Sequence, residues 1–175
     1  MKSSEKSGRD SMNVTSNKLS EEPIRLNLGS GYRYIEGWTN IDNRECTKPD
    51  VVLDVLNGLL YEDNTVSEIR AFDFLEHIPL GRTVEVIEEI YRVLKPGGKF
   101  ESFTPSTDSR AAFQDPTHVS FWNKNSWFYF CEIEHRMLYG IKANFSGTIE
   151  DQISDSANHI IHTHCVLYAV KEEKK

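Results

Sequence analysis

The chain has 175 residues and a mass of 20.1 kDa, which suits one ordinary domain and is too little for two well-filled ones. Its 27 acidic residues outnumber its 20 basic ones, and the net charge of -7 argues against a nucleic-acid backbone as the main partner. Cys46, Cys131 and Cys165 are far apart and form no paired motif, which favours a reducing, cytoplasmic setting. No apolar run reaches the roughly 18 to 20 residues of a membrane span, so no membrane association is expected.

Both ends of the chain are polar. Residues 1–22 contain too few apolar side chains to offset the entropy of ordering, so we expect a flexible tail there. Residues 171–175 are expected to form a solvated tail. A single α/β domain is therefore predicted over residues 23–170.

Short apolar runs alternate with segments of helical period from residue 23 onward, which is typical of an α/β domain with a parallel sheet. The first four strands are predicted at residues 24–28, 39–42, 51–55 and 69–74. The clearest helix is predicted at residues 82–94, where apolar side chains recur every three or four positions. It ends at Lys95-Pro96-Gly97-Gly98, because proline lacks an N–H donor and glycine allows a left-handed turn.

Three more strands complete the prediction. A fifth is expected at residues 99–104, and a sixth at residues 139–145 or 147–153. The seventh, at residues 159–170, alternates over its whole length, which favours antiparallel pairing at an edge of the sheet.

A glycine turn and an acid mark the candidate ligand site. Strand one runs directly into Gly29-Ser30-Gly31, where glycine lets the backbone approach a ligand closely. The second strand ends in Asp42, a carboxylate suited to accept hydrogen bonds from both hydroxyls of a ribose. Together these features predict an adenosine site.

Five segments of the chain resemble the class I S-adenosylmethionine-dependent methyltransferases, in particular their small "type 11" members. They are LNLGSG (26–31), TNID (39–42), DVVLDVLNGL (50–59), EIRAFDFLEHI (68–78) and EIYRVLKPGGKF (89–100). The resemblance implies a three-layer Rossmann-like fold, with a mostly parallel seven-stranded sheet and an antiparallel last strand. It also implies S-adenosylmethionine as the cofactor.

The same resemblance implies roles for individual residues. The glycine turn would lie against the methionine part of the cofactor, Asp42 would hold the ribose, and an acid after strand three would meet the adenine amino group. The implied cofactor residues are Asn27, Gly29, Ser30, Gly31, Asp42, Asp54, Val55, Asp73 and Phe74.

Two features depart from that family. Asn27 stands where the family often has an acid, so a neutral amide would have to meet the ammonium group of the cofactor. Only residues 30–38 separate strands one and two, whereas a parallel crossover normally needs a dozen residues or more. We therefore expect a shortened or missing first crossover helix, with at most one helical turn at residues 32–36. Tyr32, Tyr34 and Trp38 would either face the sulfonium or fill the gap left by the helix.

An aromatic segment follows the fifth strand. Residues 113–130 contain seven of the 19 aromatic residues of the chain, and they would form either a lid over the site or a layer packed on the sheet. His118 in this segment is the first candidate for a general base, and His77 is the second, because imidazole titrates near neutral pH.

No metal site is predicted. Glu132, Glu134 and His135, with His159, His162 and His164, suggest one, but no third ligand is fixed by the spacing of His162 and His164. A solvated strand face is the alternative for these histidines.

The sequence thus predicts methyl transfer from S-adenosylmethionine to a small-molecule or sugar-like acceptor, by in-line attack on the sulfonium methyl. A non-catalytic cofactor-binding or regulatory protein is the alternative. Nicotinamide-dinucleotide binding is weaker, because Tyr32, Arg33 and Tyr34 follow the turn and the third glycine of GxGxxG is missing.

Overall fold

The computed structural model describes residues 22–172, so all but residue 22 of the predicted tail at 1–22, and residues 173–175 of the one at 171–175, lie outside it. Its strands are β1 (Arg25–Leu28), β2 (Thr39–Asp42), β3 (Val51–Val52), β4 (Val66–Phe72), β5 (Leu94–Pro105), β6 (Phe145–Asp155) and β7 (Ile160–Ala169). Its helices are α1 (Thr83–Val93), α2 (Ala111–Gln114), α3 (Lys124–Cys131) and α4 (Ile133–Tyr139). Short 3-10 turns follow β2, β3 and β4.

The seven strands form one sheet in the order β3-β2-β1-β4-β5-β7-β6. Strands β1 to β5 pair in parallel, and β7 runs antiparallel to both β5 and β6. The predicted α/β sheet with an antiparallel last strand is therefore confirmed. The edge position expected for the last strand is wrong, because β6 occupies that edge and β7 lies between β5 and β6.

Several strand boundaries differ from the predicted ones for local reasons. β3 ends at Val52, because Asp54 accepts a hydrogen bond from the Leu56 N–H and starts a 3-10 turn. β4 ends at Phe72, because Asp73 takes a positive φ of 48°. For the sixth strand the second alternative is correct, since residues 139–145 begin at the end of α4.

Helices α1 and α3 pack on the same face of the sheet. The ring of Tyr91 in α1 lies 5.4 Å from that of Phe145, and Trp127 in α3 lies 6.0 Å from Phe100. α1 is amphipathic, as predicted, and buries Val86, Ile87, Ile90 and Val93. α3 starts at a capping box formed by Asn123 and Ser126.

The opposite face of the sheet carries charged and aromatic side chains. Lys99 forms ion pairs with Glu68 and Glu101, and His164 contacts Glu101 at 2.9 Å. These side chains are partly exposed. Within residues 22–172 the crossovers from β1 to β2 and from β2 to β3 contain no α-helix, so the predicted shortened or missing first crossover helix is confirmed.

Lys171 is docked against the domain, although the sequence places it in a solvated tail. Its ammonium donates hydrogen bonds to Asn64 Oδ1 and to the carbonyls of Arg92 and Leu94, at 2.6, 3.0 and 2.6 Å. Burial lowers the pKa of this lysine. The ammonium therefore connects the residues after β7 to the loop before β4 and to the junction of α1 with β5.

Replacing Lys171 with methionine is expected to lower the free energy of unfolding by about 1–3 kcal/mol, because two carbonyls and an amide lose a charged donor. Urea denaturation measures the change. Lys95→Met is the matched control, since Lys95 is exposed. Equal effects of the two substitutions would contradict this assignment.

Candidate functional site

A cavity of about 490 Å³ opens at the carboxyl ends of β1 to β4. This is the edge where open α/β sheets bind their ligands, and the volume lies within the usual range for small-molecule sites. Its walls consist of Gly29, Ile41, Asp42, Asn43, Arg44, Leu53, Asp54, Val55, Leu56, Asp73, Phe74, His77, Ile78, Pro79 and Thr117. Six of the predicted cofactor residues and one of the two predicted bases are among them.

Asp42 lies at the tip of β2 with its carboxylate buried in the wall. Oδ2 accepts a hydrogen bond from the Gly31 N–H at 2.8 Å, and Oδ1 accepts from the Arg44 N–H at 2.9 Å and its Nε at 3.2 Å. Burial opposes ionisation, but the hydrogen bonds from Arg44 and Gly31 outweigh it and hold the pKa of Asp42 below its ordinary value. The site therefore presents a fixed negative charge with acceptor capacity left on Oδ2.

The glycine turn depends on the absence of side chains. Gly29 and Gly31 have φ angles of 60° and 50°, which L-residues with a side chain rarely adopt. A Cβ on Gly29 would collide with the ring of Phe74. Ser30 Oγ is buried and has no hydrogen-bond partner in the described part of the chain. At the end of β1 a ligand could therefore approach the backbone of the turn closely, and the Ser30 hydroxyl could bind it.

The wall after β3 combines one acid with apolar side chains. Asp54 caps the 3-10 turn Val55–Asn57 through the Leu56 N–H and remains exposed. Leu53, Val55 and Leu56 form the apolar surface beside it. A planar base with an exocyclic amino group fits such a combination.

Asp73 follows the end of β4, and its carboxylate contacts side chains from the loop after β1 and from β7. Its Oδ2 accepts from Arg33 Nη1 at 2.7 Å, and its Oδ1 lies 3.5 Å from His162 Nε2. Burial raises the pKa of Asp73, but the contacts with His162 and Arg33 outweigh it and leave the pKa below its ordinary value. Arg33 comes from the loop after β1, so this ion pair closes the loop against β4.

Asn27 is one of three predicted cofactor residues, with Ser30 and Gly31, that do not line the cavity. Its side-chain amide donates to the Arg33 carbonyl and to Asn40 Oδ1, both at 2.9 Å. These bonds fix the loop between β1 and β2 in place of a helix. A contact between Asn27 and the ammonium group of a cofactor stays a prediction.

The two predicted bases lie side by side across the rim of the cavity. The rings of His77 and His118 are 5.1 Å apart and nearly perpendicular. His118 Nδ1 lies 2.9 Å from the Ala112 carbonyl, and His77 Nδ1 lies 3.3 Å from the Thr117 carbonyl. Both rings are therefore held by backbone oxygens, and His77 also lines the cavity.

Glu76 is the residue that the sequence analysis missed. One of its carboxylate oxygens lies within 4.8 Å of a ring nitrogen of His77 and of His118. The residue lies in the 3-10 turn Leu75–His77 and is buried. Burial raises its pKa to about 8. Its position next to His77 in the sequence was the available signal, but burial at that position depends on the segment packed above it.

The loop aromatics do not face the cavity. Tyr32 is 83% exposed, and the hydroxyl of Tyr34 donates to Asp50. Trp38 does not appear in the wall either, and residues 32–36 form no helical turn. The hypothesis that these residues face a sulfonium is thus not supported by their positions.

The aromatic segment after β5 divides between the two predicted roles. Trp122, Trp127 and Phe130 are buried against the sheet, whereas Phe113 and Phe121 stack on each other at the surface with their centroids 5.4 Å apart. Three of the seven aromatic side chains in the segment are therefore core, and two lie at the surface.

The other histidines form no common metal site within residues 22–172. His162 and His164 lie on the polar face of the sheet, where Ser154 and Gln152 contact their Nδ1 atoms. His135 pairs with Glu132 at 2.9 Å. The solvated strand face is the reading that agrees with these contacts.

Comparisons with known proteins agree with this geometry. A family profile described as a methyltransferase domain matches residues 33–101. A methyltransferase from Archaeoglobus fulgidus that depends on S-adenosylmethionine superposes with a TM-score of 0.64 at 16% identity, over 84% of this chain and 86% of that one. Part of this chain is thus similar to a methyltransferase domain, and its fold is that of S-adenosylmethionine-dependent methyltransferases.

Two further structures share the methyltransferase fold. One, from Methanosarcina mazei, has a TM-score of 0.59 at 14% identity and covers 94% of this chain and 100% of that chain. The other is a methyltransferase from Haloferax volcanii in complex with the activator Trm112, with a TM-score of 0.60 at 12% identity and coverage of 90% and 86%. No curated protein is similar in sequence. None of the helices within residues 22–172 is long and apolar enough to cross a membrane.

The cavity fits the cofactor of this methyltransferase family. The carboxylates of Asp42 and Asp54 can accept hydrogen bonds from the hydroxyl and amino groups of the cofactor, and the apolar wall suits its adenine base. The carboxylate of Asp73 suits its positive charge. The unpartnered hydroxyl of Ser30 adds a donor beside the glycine turn.

Proposed function

We propose that this methyltransferase transfers a methyl group from S-adenosylmethionine to a small-molecule or sugar-like acceptor in the cytoplasm, with neither nucleic acid nor membrane as its target. One observation carries the proposal. The wall of a single cavity contains Gly29, Asp42 and Asp54 together with His77 and Thr117. Cofactor-type and base-type side chains therefore share one space.

The cofactor half of the proposal assigns roles to the cavity wall. Asp42 holds the ribose, Asp54 and Val55 hold the adenine, and Gly29, Ser30 and Gly31 lie against the methionine part. Asp73 and Phe74 border the reacting end. The bound cofactor supplies an electrophilic methyl on a sulfonium, so the main task of the protein is to align the acceptor.

The acceptor half concerns charge and proton transfer. The net charge of -7 and the carboxylates of Asp42, Asp54 and Asp73 repel a polyphosphate backbone and favour a neutral or cationic acceptor. His118 and His77 are placed to take a proton from an acceptor hydroxyl or amine. Phe113 and Phe121, which stack at the surface in the segment that also contains His118, offer an apolar surface to the rest of that molecule.

A non-catalytic cofactor-binding protein is the second candidate, and the missing helix between β1 and β2 favours it. Calorimetry with S-adenosylmethionine and S-adenosylhomocysteine tests the cofactor site. Release of S-adenosylhomocysteine on incubation with a pool of small hydroxylated and amino metabolites then separates the two candidates. Binding without any release would support the non-catalytic protein, and no binding at millimolar cofactor would contradict both.

Replacing His118 with glutamine is expected to reduce turnover about 100-fold, the lower end of the range for the loss of a general base. The affinity for S-adenosylmethionine should stay unchanged, because His118 does not line the cofactor end of the cavity. Turnover and calorimetry measure the two quantities. His135→Gln is the matched control, since His135 also lies beside a carboxylate but far from the cavity. A fully active His118→Gln enzyme would remove this residue from the mechanism.

A further inference from the structure

Three potential metal ligands converge on the rim of the cavity. Glu76, His77 and His118 each present one ligand atom, and these atoms lie within 4.8 Å of one another. Ligands bound about 2.1 Å from one ion are separated by roughly 3–4 Å. Small rotations of the two imidazole rings would therefore bring the three atoms to binding distance.

The carboxylate of Glu76 is an independent sign that a cation belongs there. The residue is 1% exposed, and neither Oε1 nor Oε2 has a hydrogen-bond partner among residues 22–172. A buried carboxylate without partners is costly. A bound divalent ion would remove that cost.

The backbone prepares both imidazoles for the same role. The Ala112 carbonyl can only accept, so His118 donates from Nδ1 and leaves the lone pair of Nε2 free. His77 has the same relation to the Thr117 carbonyl, at 3.3 Å. A carbonyl behind the ring is the usual arrangement that orients a metal-binding histidine.

The two segments that supply the ligands are fastened together without any ion. The Glu76 carbonyl accepts hydrogen bonds from the N–H groups of Val119 and Ser120 at 2.8 and 3.0 Å. Asp115 Oδ2 lies 3.8 Å from His118 Nε2, so a second carboxylate is close enough to join the site. The two segments are thus held together by the backbone, and His77 borders the cavity.

We propose that Glu76, His77 and His118 bind a divalent transition-metal ion, with Asp115 within reach as a fourth ligand and an open position toward the cavity. Two imidazoles with carboxylates favour Zn²⁺, Mn²⁺ or Fe²⁺ over Mg²⁺ and Ca²⁺. This inference rests on the proposed function in one respect: the open position would receive the oxygen of the acceptor, which makes hydroxylated acceptors the substrate class.

Methyl transfer at this site starts from the hydroxyl group of the acceptor. With the ion bound, His77 and His118 act as ligands in place of the base role given above. The acceptor hydroxyl then releases its proton to water when its oxygen binds the ion, because a bound cation lowers the pKa of a coordinated hydroxyl. The oxygen lone pair then forms the new bond to the methyl carbon as the bond from carbon to sulfur breaks. The electron pair of that bond stays on sulfur, and the products are the O-methylated acceptor and S-adenosylhomocysteine.

The test uses the full chain, stripped with a chelator, and titrates Zn²⁺ by calorimetry and Co²⁺ by its visible absorption, without cofactor or acceptor. We expect one ion per chain and a rise in the melting temperature with Zn²⁺. Glu76→Gln and His118→Gln should weaken binding at least about 10-fold. His135→Gln, which removes an imidazole from a different pair with a carboxylate, should leave it unchanged.

Two results would overturn the metal site: no stoichiometric ion in the wild type, or equal weakening by His135→Gln. Far-ultraviolet circular dichroism checks that each variant is folded, and His118→Gln keeps the test valid if the Glu76 variant does not fold. Cofactor binding and methyl transfer that persist after chelation would reject the metal while leaving the proposed function intact. Ion binding without cofactor binding would do the reverse.

Discussion

Replacing Asp42 with alanine is expected to raise the Kd for S-adenosylmethionine about 100-fold or more. The carboxylate lies in the cavity wall with acceptor capacity left on Oδ2, and hydrogen bonds to a charged group contribute about 1.5–3 kcal/mol each. The same substitution removes the partner of the Gly31 N–H and so loosens the glycine turn. Isothermal calorimetry with the cofactor measures the effect.

Asp50→Asn is the control that separates binding from folding in this region. Asp50 accepts hydrogen bonds from Asn40 and Tyr34 next to the same strand, but it does not line the cavity. We expect Asp50→Asn to lower stability and to leave the Kd for the cofactor within about 3-fold, since the lost contacts are outside the site. An Asp42→Ala protein that is folded and binds the cofactor normally would contradict the assignment of the ribose site.

Replacing Gly29 with alanine is expected to lower the free energy of unfolding by about 2–5 kcal/mol. Two costs add: a left-handed backbone at a φ of 60°, worth about 1–2 kcal/mol, and the collision of the new Cβ with Phe74, worth about 1–3 kcal/mol. Denaturant unfolding measures the total. Cofactor binding should be lost in parallel, because Gly29 and Phe74 both line the cavity.

Two further variants divide that cost into its parts. Gly37 has a φ of 77° and open space around it, so Gly37→Ala reports the backbone cost alone. The double variant Gly29→Ala with Phe74→Ala removes the obstructing ring and should recover the steric part relative to Phe74→Ala alone. A Gly29→Ala protein no less stable than Gly37→Ala would show that the approach of Phe74 is not restrictive.

The sequence predicts the sheet well wherever local pattern decides the structure. Strand β2 and helix α1 agree with their predicted bounds to within one residue, because an apolar run or an amphipathic period defines each of them. β3 was predicted too long, since the capping hydrogen bond of Asp54 is not visible as a pattern. The position of β7 inside the sheet depends on strand order, which alternation alone does not specify.

The site was predictable where a residue occupies the end of a strand. Asp42, Asp54 and Asp73 follow β2, β3 and β4, and parallel topology brings their ends to one edge. Glu76 was not predictable as a buried group, because its burial is produced by residues 115–120, some forty positions away in the chain. Asn27 lies at the end of β1 as predicted, but its side-chain amide is used in hydrogen bonds to the Arg33 carbonyl and to Asn40.

The polar face of the sheet has a consequence for how this domain unfolds. With helices packed on one side, strands β4, β5 and β7 share one continuous apolar cluster, and the other side offers ion pairs such as Lys99 with Glu68 and Glu101. Ion pairs on a partly wet surface weaken as added salt screens them. Added salt is therefore expected to weaken these ion pairs and to leave the apolar core unchanged. Because β4, β5 and β7 share that core, hydrogen exchange in the three strands is expected to report a single cooperative opening.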